Sequence, residues 1–141
     1  MARPSKINKV EIKWNNLLPF SNYLAITLFG KMYIRNKNKT RWEKYYDDER
    51  KNTVLNHEMV HVLQARSTND NWFEFYILYI WYWFICFIVT FNQRLSYKTN
   101  PFELEAYAEE KNMNYTESCW RKYILSIKER KEIYKCKFKK V

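Results

Sequence analysis

Residues 57–61 read His57-Glu58-Met59-Val60-His61, two imidazoles and a carboxylate within five positions. On a helix the two histidines lie one turn apart on the same face, so both rings can reach a single metal ion. Glu58 sits about 100° further around that helix, where it can reach a water on the metal rather than the metal itself. Zinc lowers the pKa of such a water toward about 7, and a carboxylate beside it can take the proton. The chain holds two histidines in all, and both fall inside this motif. The competing reading is a pair of ordinary surface histidines on a helix.

A zinc site of this type needs a third protein ligand. There is no third histidine, and Cys86, Cys119 and Cys136 are remote from the motif in sequence, with no CxxC spacing among them. The ligand must then be a carboxylate, and carboxylates cluster in Pro101-Phe-Glu103-Leu-Glu105-Ala-Tyr107-Ala-Glu109-Glu110. Glu103 and Glu105 point to different faces of a helix, so both cannot serve. Glu103 has a second reading, because Asn100-Pro101-Phe102-Glu103 has capping-box spacing. Gln64, three residues after His61, shares the histidine face. It could hydrogen-bond a substrate, orient a ligand, or be solvated.

HExxH followed downstream by a glutamate on a second helix resembles the gluzincin branch of the zincin metallopeptidases. His-Glu-x-x-His-Val-x-Gln at 57–64 and Asn-Pro-Phe-Glu-x-Glu-Ala-Tyr at 100–107 are also similar to motifs of small bacterial proteins. The resemblance covers roughly residues 20–112 and is specific at these two motifs. It implies Zn2+ held by His57, His61 and Glu103, with Glu105 as runner-up, and Glu58 as the catalytic base. It implies a peptide or protein substrate, paired to a strand upstream of the HExxH helix. The family's aspartate four residues after the ligand, which supports a histidine, is Tyr107 here. Tyr107 can hydrogen-bond but carries no fixed charge. Tyr107, Tyr97 and Gln64 are the candidates for holding a developing oxyanion.

The elements that must position these groups can be read along the chain. Residues 1–16 form an N-terminal arm, in which Val10, Ile12 and Trp14 alternate as a short strand. Residues 24–34 are β-branched and aromatic around the single glycine, Gly30, which fits a bent strand or a hairpin. Residues 35–52 read as a partly helical loop. Thr53 offers an N-cap for a helix over 54–67. An apolar segment follows at 72–91, a polar connector at 92–100, and a helix from Pro101 to about 112. A last helix is expected over 116–134. The expected fold is α+β: one small zincin-like domain over 1–141, mainly helical, with a hairpin or edge strand before the HExxH helix. Residues 17–115 would carry the metal-site core and 116–141 a basic helix and tail.

A chain of 141 residues with 47% hydrophobic residues supports one sizeable core. One glycine and three prolines exclude collagen-like and linker-type architectures. The cysteines read as reduced thiols, not a disulfide scaffold. The formal net charge of +10 favours anionic partners. Much of it sits in 121–140, where Tyr123, Ile124, Ile127, Ile133 and Tyr134 interleave with the basic residues. That segment could be a solvated face, or could rest on an anionic membrane surface or on nucleic acid, although no nucleic-acid-binding motif accompanies it.

Residues 75–91 carry no charge, so a transmembrane helix must be weighed. One crossing would strand His57 and His61 on one side and Glu103 on the other, which disfavours a single span. The segment 72–91 is expected to be a core or interfacial helix, or to face lipid or a protein partner. With no apolar leader segment in 1–16, a cytoplasmic or membrane-associated protein is expected. Three functions follow: a zinc metallopeptidase, a membrane-associated form of one, or a non-enzymatic subunit of a larger assembly such as a viral particle on the same scaffold.

Overall fold

Phe29 and Gly30 both adopt positive φ, 50° and 80°. This is the backbone of a tight hairpin turn whose twist matches its strands. Gly30 takes it without penalty, and the β-branched flanks supply β2 (Ala25–Leu28) and β3 (Lys31–Arg35), paired antiparallel. β1 (Glu11–Asn15) pairs with β3 in parallel, giving the order β1-β3-β2. The computed structural model describes residues 10–18 and 24–138. Most of the N-terminal arm and the last three residues of the basic tail lie outside that range. Helices make up 63% of the structure beside this three-stranded sheet, so the protein is α+β and mainly helical.

The chain divides into two compact units, Met1–Leu63 with Glu109–Thr116, and Gln64–Ala108 with Glu117–Val141. The first is built on the sheet. Met32 and Ile34 of the central strand are fully buried with Val10, Trp42, Tyr46 and Met59, and Val54, Leu55 and Val62 pack around them. Thr53 does not cap a helix. α1 spans Asp48–Ser67, and Asp47 Oδ1 accepts from Arg50 N at 2.8 Å, while Thr53 Oγ1 donates back to Glu49 O at 3.0 Å. Asp48 and Glu49 in the first turn favour the earlier start, since carboxylates there meet the positive end of the helix dipole. From Asn56 to Ala65 almost every α1 residue is buried, polar ones included.

The second unit is organised around aromatic rings. α2 (Trp72–Thr90) is the expected apolar segment. Asn71 caps it, its Oδ1 accepting from Phe73 N at 3.1 Å and Glu74 N at 3.2 Å. Phe91, at φ 47°, ends it. Asn71→Ala is expected to destabilise the protein by about 1 kcal/mol, read as a shifted urea midpoint with an unchanged slope. The polar connector contains a short helix, α3 (Gln93–Lys98), capped by Asn92. α4 (Pro101–Glu109) begins at the proline, as expected, but stops sooner.

The fully buried Phe102 of α4 lies 4.5 Å from Trp120, 5.0 Å from Phe75 and 6.0 Å from Tyr79, ring centre to ring centre. The last helix is shorter than 116–134 and starts later, as α5 (Ile127–Phe138) after a 3-10 turn at Trp120–Tyr123. A capping box sets that start: Ser126 N donates to Glu129 Oε2 at 2.6 Å, and Ser126 Oγ accepts from Glu129 N at 3.1 Å. Those bonds hold the Glu129 carboxyl below its ordinary range. α5 packs on α2, where Arg130 donates to Cys86 Sγ and, at 3.4 Å, to Thr99 O. Cys86 is buried and Cys119 half-buried, and neither forms a disulfide among the described residues.

One face of α2 is not covered. Phe73, Ile77, Ile80, Trp81, Phe84 and Ile88 are exposed at helical spacing, and Phe91 beyond them is 80% exposed. Phe75, Cys86 and Thr90 of this helix are buried and Trp72, Tyr76, Leu78, Tyr79 and Tyr82 pack on the aromatic cluster, so α2 has one core side and one exposed side. Among the described residues it is the one helix long and apolar enough to cross a membrane.

Candidate metal centre

α1 carries His57, Glu58, His61 and Gln64 on consecutive turns, and all four are buried. In the sheet unit the two imidazole rings stand 5.1 Å apart, centroid to centroid, at 80°. That is the spacing a single helical turn imposes. His57 Nδ1 lies 3.1 Å from Glu110 Oε2. A carboxylate there fixes the ring's orientation and favours the tautomer that leaves Nε2 with its lone pair. The support sought at position 107 is therefore supplied from Glu110. Asn56 holds the backbone that carries Glu110, its Nδ2 donating to Glu109 O, Glu110 O and Asn112 O at 3.0, 2.8 and 3.2 Å.

Glu58 is buried, and its Oε2 accepts the Thr27 hydroxyl. Thr27 belongs to β2, the edge of the sheet among the described strands. A single hydroxyl from that edge thus orients the carboxylate, next to backbone groups that no described strand pairs. Position 27 has no sequence signal for this role. It is one threonine in a β-branched run, and only the strand's placement brings it to Glu58.

In the aromatic unit Glu103 is buried and accepts the Tyr79 hydroxyl on Oε1 at 2.7 Å. Asn100, fully buried, caps α4 through Oδ1 to Phe102 N at 3.1 Å and donates to Tyr79 O at 3.0 Å. The cap is thus Asn100's, while the Glu103 carboxylate is held by a phenol of α2. Tyr97 lies in the same cluster. Burial first, then the Glu103 charge, pushes its hydroxyl far above the usual tyrosine range, with Tyr79 and Tyr107 adding to it. Tyr97 also hydrogen-bonds Tyr107, which is 47% exposed.

Glu105 is engaged differently. It is fully buried and accepts from Ser118 Oγ and Cys119 N, both at 2.7 Å, and from Gln64 Nε2 at 3.0 Å. With three donors converging on it, it anchors the chain beyond α4, and Glu103 is the better candidate ligand. Gln64 is not solvated. It is fully buried and also donates to Phe102 O at 2.8 Å, so it ties the last turns of α1 to the first turn of α4.

Two imidazoles and a carboxylate are the donor set of a catalytic zinc site, and each of His57, His61 and Glu103 offers one ligand atom from a buried side chain. The chain matches no protein family profile, no curated protein and no solved structure.

Proposed function

We propose that the protein is a small zinc-dependent metallopeptidase in which His57, His61 and Glu103 hold the metal. The observation that carries this reading is a buried donor set, two imidazoles of α1 and a carboxylate of α4, on helices held by buried amides. Asn56 of α1 bonds the carbonyl of Glu109, the last residue of α4. Gln64 of α1 bonds the carbonyl of Phe102, in the first turn of α4. His57, His61 and Glu103 are all buried and each offers one ligand atom, the donor types a divalent cation such as zinc takes.

Zinc held by His57, His61 and Glu103 would supply an acidified water and a Lewis acid for a peptide carbonyl. The chain's own residues would do the rest. Glu58, held by Thr27, takes the water's proton on its carboxylate and returns it to the departing amine. Glu110 would keep His57 oriented, and Tyr79 would hold the Glu103 carboxylate. β2 is an edge strand among the described strands and its Thr27 touches the base, so an extended peptide added to that strand would run beside Glu58.

Metal content decides the reading. The purified protein is expected to carry about one zinc per chain by elemental analysis, and His57→Ala to carry none. A wild-type protein that takes up no divalent metal, even when supplied in excess, ends the proposal. Glu110→Gln is expected to bind zinc about 10- to 100-fold more weakly in a chelator competition, with an unchanged circular dichroism spectrum.

A further inference from the structure

The exposed stripe on α2 is a separate feature of the aromatic unit and does not depend on the metal site. Phe73, Ile77, Ile80, Trp81, Phe84 and Ile88 recur at intervals of three and four, and no charged residue interrupts 75–91. Nineteen residues give a strip about 28 Å long at 1.5 Å per residue. A continuous apolar surface of that length is unusual on a protein that meets only water. The opposite side of α2 is occupied, since Phe75 packs on Phe102 and Cys86 meets Arg130 of α5.

We propose that this face lies in the interface of an anionic lipid bilayer, with α2 parallel to the membrane plane. Charge selects this occupant over a second copy of the chain. Two chains of formal charge +10 repel each other, whereas an anionic lipid surface attracts each of them. The immediate surroundings agree: Arg94 is exposed three residues beyond Phe91, at the end of the stripe. An apolar strip with an arginine at its end suits acyl chains beside phosphate headgroups.

The packing of α5 argues for lying in the interface rather than crossing. α5 rests on α2 and exposes Lys128, Lys131 and Lys135, together with Glu129 and Glu132. A crossing α2 would carry those charges into the hydrocarbon, where each is strongly disfavoured. An α2 lying flat sinks only its apolar side.

The experiment is co-sedimentation of the full chain with phosphatidylcholine vesicles containing 0 or about 30% phosphatidylserine. Binding is expected with phosphatidylserine, weakened but not abolished by salt because the apolar contribution is not screened. Ile80→Asp combined with Phe84→Asp is expected to weaken it about a hundredfold. Both side chains are exposed, so circular dichroism should stay unchanged. Lipids brominated on their acyl chains are expected to quench the emission of Trp81, read as the difference between wild type and Trp81→Phe. Three results would each overturn the proposal: no vesicle binding, binding indifferent to the double substitution, or a dimer in solution that the double substitution dissociates.

Discussion

Glu58→Gln is expected to retain about one zinc per chain and to lower peptide hydrolysis by about 10²- to 10⁴-fold, the range a positioned general base contributes. Glutamine keeps the size of the side chain and an oxygen that can still accept the Thr27 hydroxyl, so the surroundings should hold. It loses the ability to take a proton near neutral pH. Steady-state cleavage of a peptide library, with metal content measured on the same samples, checks both halves. Hydrolysis at the wild-type rate in this variant would assign the proton transfer elsewhere and remove Glu58 from the mechanism. Thr27→Val should act in the same direction but less strongly, because it frees the carboxylate without removing it.

Phe102→Ala is expected to destabilise the protein by about 3–5 kcal/mol. Its ring is fully buried and meets Phe75, Tyr79, Tyr82 and Trp120 at centroid distances between 4.5 and 6.2 Å. Aromatic rings at those separations add edge and face attraction to the area they bury. Truncation leaves a void that stacked rings cannot close, since each is held by its other neighbours. The measurement is urea unfolding followed by circular dichroism. Phe102→Leu, which keeps much of the volume, should cost less than half as much. Equal losses in the two variants would mean that the ring's shape, not its bulk, sets the stability.

The sequence is most readable where a residue's own chemistry dictates its conformation. Gly30 marks the hairpin, Pro101 starts α4, and the apolar run after Asn71 becomes α2. It is less readable where two local signals compete. Thr53 resembles a cap, but Asp47 lies further upstream and Asp48 and Glu49 suit a first turn. Ser126 and Glu129 form the capping box that starts α5 at Ile127, later than the helix expected from 116.

At the candidate site, the histidines, Glu58 and Glu103 were visible because their spacing carries the chemistry. Their supports were not. Thr27, Tyr79 and Glu110 are contributed by other elements, 31, 24 and 53 positions from the groups they touch. No local pattern encodes such pairings. Gln64 and Glu105 looked like ligands or surface residues, and their bond to each other across 41 positions became apparent only in the folded chain.

The place of β2 at an edge of the described sheet also bears on how the protein is handled in concentrated solution. An edge strand does not distinguish a foreign peptide from the same strand of a neighbouring molecule, and such rims seed aggregation. Four residues is a short template, and the repulsion between like-charged molecules works against its use. High salt removes that repulsion, so turbidity should appear first in concentrated samples at high ionic strength.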